Sequence, residues 1–500
     1  MSEGERPPAA AGPRQWHEAA DVLVIGAGFA GSAAAASAAA AGSTVLILEK
    51  MAEYGGNSAL GLGDYAAWDD ARHRRAALGL GEDSAERHAA EALAAGRHYG
   101  DPALVAVMAR GAPAALDWMI AEGGLRLRES LHRQGGGAFR MHLADSGRDY
   151  VEALRAIAVK HGAQLRTRAK LARIWRQGAA GPVVGVEIET AEGRRRLAAR
   201  KGVVLATGGF AADVAMRRSF RSTLGESYNT TNHPGATGEA IRLAQAIGAD
   251  ALHLAFIEVH PFAHPETGAL DAATLYALRL RRHGAIIVSR AGRRFVDEEA
   301  PHDAVSQAVV AIGHRPAYTI FTEAMLARVS EDETAAEIAH LLAQGRIRRA
   351  ATLTELSHAL GLADDALAAA ARRFSEFLAV GSDADFARPL APAMLPLGDG
   401  PCYAIAHWPA VHFTAGGLRI DARARVIDLW GAPIPRLYAV GEVAGGVHGM
   451  GRVGGNSTTA PIVFGRIAGA EAAAQPPLAS MAGWRGPPGL AGIIPAPLVL

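Results

Sequence analysis

The sequence predicts an α/β protein in which a Rossmann-like dinucleotide-binding domain is interrupted by an inserted α+β lobe. Three observations carry this. The stretch "DVLVIGAGFAGSAAAASAAAAGSTVLILEK" (21–50) reads as strand, tight glycine turn, alanine-rich helix and second strand. From 251 to 405 the character changes to more His, Pro and Arg, followed by helices such as "AEIAHLLAQ" and "DDALAAAARRFSEFL". Strand-like "GLRID", "RVIDL" and "RLYAVGEV" then return and lead into "GGVHGMGRVGGNSTTAPIVFGRIAG" (445–469). Nucleotide-type segments at both ends imply a domain split by an insertion. The expected parts are a disordered leader (1–19), the binding domain (20–250 and 406–475), the lobe (251–405) and a flexible tail (476–500).

Taken in order, Gly26 permits the tight turn, Gly28 lets backbone approach a pyrophosphate, and Gly31 lets the helix pack close to its strand. The helix opening at Phe29 and Ala30 aims unpaired N–H groups at the phosphates. Glu49, at the end of the second strand, stands where a ribose hydroxyl needs an acceptor. No charge lies between Val22 and Leu48, a run long enough to span a bilayer. Its Ala, Gly and Ser content, its glycine turn and its β-branched ends argue instead for a soluble unit without a transmembrane segment. Residues 70–160 read as mainly helical, and 163–206 as short strands ending in "KGVVLATGG", a second place for backbone to meet a cofactor.

The formal net charge of +1, from 51 basic and 50 acidic residues, offers no field to attract nucleic acid. One cysteine, Cys402, excludes a disulfide framework, a thiolate metal site and a haem-attachment pair, and no metal is expected. The N-terminus lacks an apolar core and a twin-arginine pair, so a cytoplasmic location is expected. Near the C-terminus, Gly449, Gly451, Gly454 and Gly455 crowd around Arg452. That arrangement suits backbone pressed against a flat ligand with one fixed cation beside it.

With both ends read, the chain resembles the fumarate reductase and succinate dehydrogenase flavoprotein family, and within it the soluble flavocytochrome c-like flavoproteins. The likeness runs from about 20 to 470 and rests on "VIGAGFAGSAAA", "EKMAEYGGNSALGLG", "LATGGFAAD", "TTNHPGATGEAIRLAQAIGA", "EVHP", "RRHGAIIVSRAGRRFVDE", "HFTAGGLRID" and "LYAVGEVAGGVHGMGRVGGNS". It implies a glutathione-reductase-type FAD-binding domain with a capping, substrate-lid lobe. FAD would be held by Gly26, Gly28, Phe29, Ala30 and Gly31, by Glu49 and Lys50, and by Gly56, Asn57, Ser58 and Gly63. Ala206, Thr207 and Gly208 would join them, with Gly441, Glu442, Asn456 and Ser457 near the ribityl chain and ring. Relatives with covalent FAD use a histidine after the second strand. "YGGNSALGLGDYAAWDD" has none, so the resemblance points to non-covalent FAD. With no Cys-x-x-Cys-His, the cytochrome domain of some relatives is not expected.

For the substrate, the resemblance makes Arg452 the carboxylate clamp, His412 its assistant, His260 the contact at the other end and Arg281 a member of a proton relay. Two positions depart from the family. His302 stands where an arginine acts as proton donor, and Ala277 and Leu278 stand where a threonine–glutamate pair precedes the relay arginine. An imidazole with its ordinary pKa near 6.5 would move protons both ways around neutrality, and Ala277 and Leu278 suggest an acid apolar or bulky at its far end. The expected function is an FAD enzyme interconverting a saturated and an α,β-unsaturated carboxylic acid, by hydride transfer at flavin N5 with a side-chain proton donor or acceptor. Alternatives are a flavin dehydrogenase or oxidase on a ring ketone or amino acid, or a non-catalytic electron carrier. The electron partner stays open among a quinone, a flavin reductase and an iron–sulfur protein.

Overall fold

The computed structural model describes residues 15–133, 137–329, 335–363, 365–398 and 400–478. Residues 1–14 of the expected leader and 479–500 of the expected tail lie outside them. The expected leader is too long at its end, because the first strand, β1, spans Glu18–Ile25. Glu18 already pairs with Leu197, which gives 18 and 19 a ladder to join.

The chain divides into two compact units. One comprises 1–216, 233–257 and 414–500, the other 217–232 and 258–413. The second therefore includes a stretch, 217–232, that composition alone left with the first, and it reaches beyond 405.

In the first unit, β1, helix α1 (Phe29–Ala40) and strand β2 (Val45–Leu48) form the expected strand–helix–strand. They belong to an eight-stranded sheet in which six strands follow the order Arg425–Ile427, Pro433–Ala439, Gly193–Leu205, β1, β2, Gln164–Arg166, while Val183–Thr190 pairs with Gly193–Leu205 and carries Lys170–Arg176. From Pro433–Ala439 to Gln164–Arg166 the neighbours run parallel. Such strands are covered on both faces, which is why "VLVI", "VLIL" and "GVVL" are continuous apolar runs. Register aligns the strand ends: Ile25 pairs with Leu48 and Leu205, and Leu205 with Ala439. The turns that follow, at Gly26, Glu49, Ala206 and Val440, leave the sheet side by side at its carboxyl edge, where open α/β sheets place their ligands.

Helix α1 carries no charge and is buried along nearly all its length, packed against the C-terminal helix Asn456–Ala473. Small side chains let the two helix backbones come close. Helix Pro102–Gly123, 22 residues, is long and apolar enough to cross a membrane. Ala112, Ala115, Leu116 and Met119 are instead buried in this unit's core with Phe29, Tyr65 and Tyr150.

The second unit is built on a six-stranded sheet centred on the long strand Cys402–Thr414. Ala317–Thr322 and Ile347–Ala350 pair with it antiparallel, Asn229–Thr230 parallel, and Ile257–Ala263 also joins it. The core beside this sheet includes Ile286, Ile320, Phe321, Phe374 and Ile405. Each such side chain stabilises the fold by roughly 1.5–3 kcal/mol of transfer free energy.

Candidate active site

In the first unit the glycine turn has the predicted form. Gly26 adopts φ +104, and a Cβ on Gly31 would stand 1.9 Å from the Gly26 carbonyl oxygen, so neither position admits a side chain. The first intrahelical bond of α1 runs from Ser32 N–H to the Gly28 carbonyl, so the amides of Ala30 and Gly31 precede it and face the helix's N-terminal side. Glu49 is buried, and its carboxylate accepts from Ala27 N–H (3.0 Å) and Met51 N–H (2.9 Å). Those two bonds fix its orientation and leave lone pairs for hydroxyl donors.

Several expected cofactor residues have structural partners as well. Gly28 gives α1 no capping side chain, and Ser58 Oγ takes that role by accepting from Phe29 N–H at 2.9 Å. Asn57 Oδ1 accepts from His233 N–H at 2.7 Å. Lys50 pairs with Glu239 and bonds Thr237 Oγ1, so its ammonium charge is already neutralised within the protein. Gly63 lies against the backbone of residues 144–146. Gly441 meets Ala30 at the start of α1 and Pro461 in the C-terminal helix. Glu442 accepts from both the amide and the hydroxyl of Thr414, at 2.8 Å each. Gly56, at φ +50, and Gly208, at φ +74, face open space, as backbone beside a ligand would. Thr207 Oγ1 and Asn456 Nδ2 are buried with no hydrogen-bond partner among the described residues. A dinucleotide laid along these turns would satisfy such atoms, so the residues present fit FAD. Asn456 and Ser457 open the C-terminal helix after Gly455.

Arg452 is partly buried in the loop between the short helix Gly441–Val443 and Asn456–Ala473. Two of the glycines around it, Gly449 and Gly451, have a structural cause within the protein. A Cβ on Gly449 would stand 2.4 Å from the Gly96 carbonyl, and one on Gly451 2.9 Å from that of Ala95. At Gly449 and Gly451 the loop is pressed against the end of helix Ala85–Ala95, and there its own backbone demands glycine.

The second unit brings His260, His302, His412 and Arg281 together, although they lie far apart in sequence. His260 and His412 sit on paired strands with ring centroids 5.7 Å apart, and the His260–His302 distance is 5.3 Å. His260 Nδ1 lies 2.7 Å from the Phe262 carbonyl. Burial, with the nearby His412 and His302 rings next, pushes the His260 pKa well below its ordinary value. His412 Nδ1 meets Thr231 Oγ1 at 2.8 Å, and Asn232 Nδ2 donates to the His412 carbonyl at 2.7 Å. Neither Thr231 nor Asn232 was assigned from sequence; the signal was "TTN" in a segment already carrying the resemblance.

His302 begins helix His302–Ala311, and Arg281 Nη2 donates to His302 Nε2 at 3.4 Å. A guanidinium only donates, so Nε2 is the acceptor and the ring proton belongs on Nδ1. Burial, then Arg281, lowers the His302 pKa to about 4. This corrects the expectation of a ring titrating near neutrality: at pH 7 His302 is neutral. Arg281 also donates to the carbonyls of Leu278 and Glu298, and its Nε lies 3.8 Å from Glu299 Oε1. Behind it, fully buried Glu298 binds Arg294 through both oxygens and Arg388 at 3.0 Å, an anchor that sequence reasoning missed. Ala277 is fully buried in the hydrophobic core and Leu278 packs on that core, so the pair carries no argument about the substrate's far end.

The aligned turns and the split sheet define a dinucleotide-binding protein. Residues 21–458 match the family model described as an FAD binding domain, and the chain belongs to that family. It is 35% identical over 462 residues to urocanate reductase of Eggerthella lenta, covering 91% of this chain and 74% of that one. The open conformation of a flavocytochrome c3 fumarate reductase matches with a TM-score of 0.81 and 31% identity, over 92% of this chain and 79% of that one. A 3-ketosteroid-Δ4-(5α)-dehydrogenase from Rhodococcus jostii RHA1 matches with a TM-score of 0.70 and 25% identity, over 94% and 100%. The chain is an FAD-dependent oxidoreductase acting on CH–CH groups, of the fumarate reductase type.

Proposed function

We propose that this chain reduces the carbon–carbon double bond of an α,β-unsaturated carboxylic acid. The observation that carries the reading is the neutral His302 wired through Nε2 to Arg281, in one cluster with His260 and His412. When bound, FAD supplies hydride chemistry at one alkene carbon. The proton for the neighbouring carbon comes from His302 Nδ1–H, while Arg281 passes a proton to Nε2 and is itself reprotonated from solvent. The ring thus exchanges one tautomer for the other and never carries a full charge. His260, kept neutral by burial, and His412, oriented by Thr231 and Asn232, bind the substrate. Arg452 grips its carboxylate. The cofactor is held non-covalently, as the absence of histidine from residues 54–70 supports.

The experiment is anaerobic. Flavin is reduced with dithionite, then mixed with urocanate, fumarate, acrylate and bulkier unsaturated acids. Rapid reoxidation by at least one acid is expected, and none by any acid, with dyes still effective, would sink the reading. A second reading, dehydrogenation of a ring ketone, is favoured by the match to the full length of the ketosteroid dehydrogenase. It predicts that oxidised flavin is bleached by 3-oxosteroids and that no acid reoxidises the reduced form.

A further inference from the structure

Helix Ala85–Ala95 places His88 against the first residue of the C-terminal helix, 368 positions away. His88 Nε2 lies 2.7 Å from Asn456 Oδ1, and both residues are fully buried. A carbonyl oxygen can only accept, so His88 is protonated at Nε2 and donates. Its other nitrogen, Nδ1, has no partner among the described residues. The ring is not a cation: burial, then the charge of Arg140, lowers its pKa to about 4. Arg140 is itself immobilised, with Nε and Nη2 on Asp83 at 2.9 Å and Nη1 on Glu91 at 2.8 Å.

The consequence falls on Asn456. With Oδ1 tied to His88, its amide cannot rotate, and its two N–H donors point away from the histidine. They are buried and without a partner among the described residues, a costly state for such a group left dry. Asn456 opens the helix whose next turn, at Pro461, meets Gly441, and Gly441 in turn meets Ala30 at the mouth of α1. The helix that Asn456 opens is thus packed against the turns that fit the cofactor.

We propose that His88 is a positioning residue that locks the Asn456 carboxamide so that its N–H2 donates to an acceptor on the flavin ring. This rests on the assignment of Asn456 to the cofactor. A donor to the ring gains strength as the ring takes on electrons, so the pair favours reduced over oxidised FAD and raises the midpoint potential.

The test measures the flavin midpoint potential of the holoenzyme by dye equilibration. In His88→Leu the preference for reduced FAD falls at least tenfold, about 30 mV for a two-electron couple. His88→Gln, whose side-chain amide also donates, restores most of it. The double variant with Asn456→Leu shifts no further than Asn456→Leu alone. An unchanged potential in flavin-bearing His88→Leu, or shifts that simply add, overturns the proposal. Should His88→Leu not fold, ¹⁵N imidazole shifts on the unaltered holoenzyme decide: Nε2–H supports the lock, and Nδ1–H removes it. A wild type that binds no flavin removes the cofactor assignment as well, whereas a yellow wild type with an indifferent His88 removes this inference alone.

Discussion

The two units prepare for ligands with different materials. The first offers main chain: helix amides at Ala30 and Gly31, and turns stacked at one sheet edge by register. The second offers imidazoles and a guanidinium, brought together by paired strands and by a helix start. Main chain suits a cofactor whose phosphates need many similar donors. Side chains suit a reaction that needs one proton at one place. The difference teaches where sensitivity should lie: to added bulk in the first unit, to lost function groups in the second.

His302→Ala should strike hardest, lowering kcat by about 10²- to 10⁴-fold while the flavin spectrum stays that of wild type. A kcat within a few-fold of wild type would move proton delivery away from this ring. Arg452→Ala should lower kcat/KM by about 10²- to 10³-fold, with FAD retained. If the loss is only a few-fold, Arg452 is no clamp. Gly31→Val inverts the pattern: its Cβ would collide with the Gly26 carbonyl, so the protein should lose flavin on a desalting column before any catalytic step is affected. A yellow Gly31→Val protein would break the main-chain half of the comparison.

A smaller effect is graded with pH. His88 and His407 are fully buried, and burial lowers each pKa to about 4. Between about 6.5 and 4 the unfolded chain takes up protons that the folded chain refuses. Their contribution is therefore fully present above 6.5 and falls, by about 1.4 kcal/mol per pH unit for each ring, as pH drops to 4. Urea midpoints at pH 7 and pH 5 should show the decline, and equal midpoints would contradict it. Gly449→Ala should be the mildest, lowering thermal stability by about 1–3 kcal/mol through the crowded Gly96 carbonyl, with kcat nearly unchanged. A drop in kcat instead would return these glycines to the cofactor.

The first unit was legible because its chemistry follows local spacing: three glycines, one acid, one strand–helix–strand. Glycine crowding told less at Gly449 and Gly451, since it reports that something lies close and not what, and the neighbour proved to be the end of helix Ala85–Ala95. In the second unit the histidines were found only through resemblance, because 260, 302 and 412 meet by strand pairing and helix placement that no short window contains. The His302 charge state was misjudged for the same reason, as Arg281 is 21 residues away. His88 gave no signal at all: a histidine in an alanine-rich amphipathic helix looks like any other until its partner is seen.

The split of the chain also has a consequence for how it is made. The strand Gly193–Leu205 is synthesised early, yet its partner Pro433–Ala439 comes only after all of 258–413 has left the ribosome. Throughout that interval one flank of a hydrophobic ribbon stands open to neighbours on the same polysome. Nascent chains of this enzyme should therefore lean on holdase chaperones until Pro433–Ala439 has emerged, and truncations short of Pro433 should be cleared or clump.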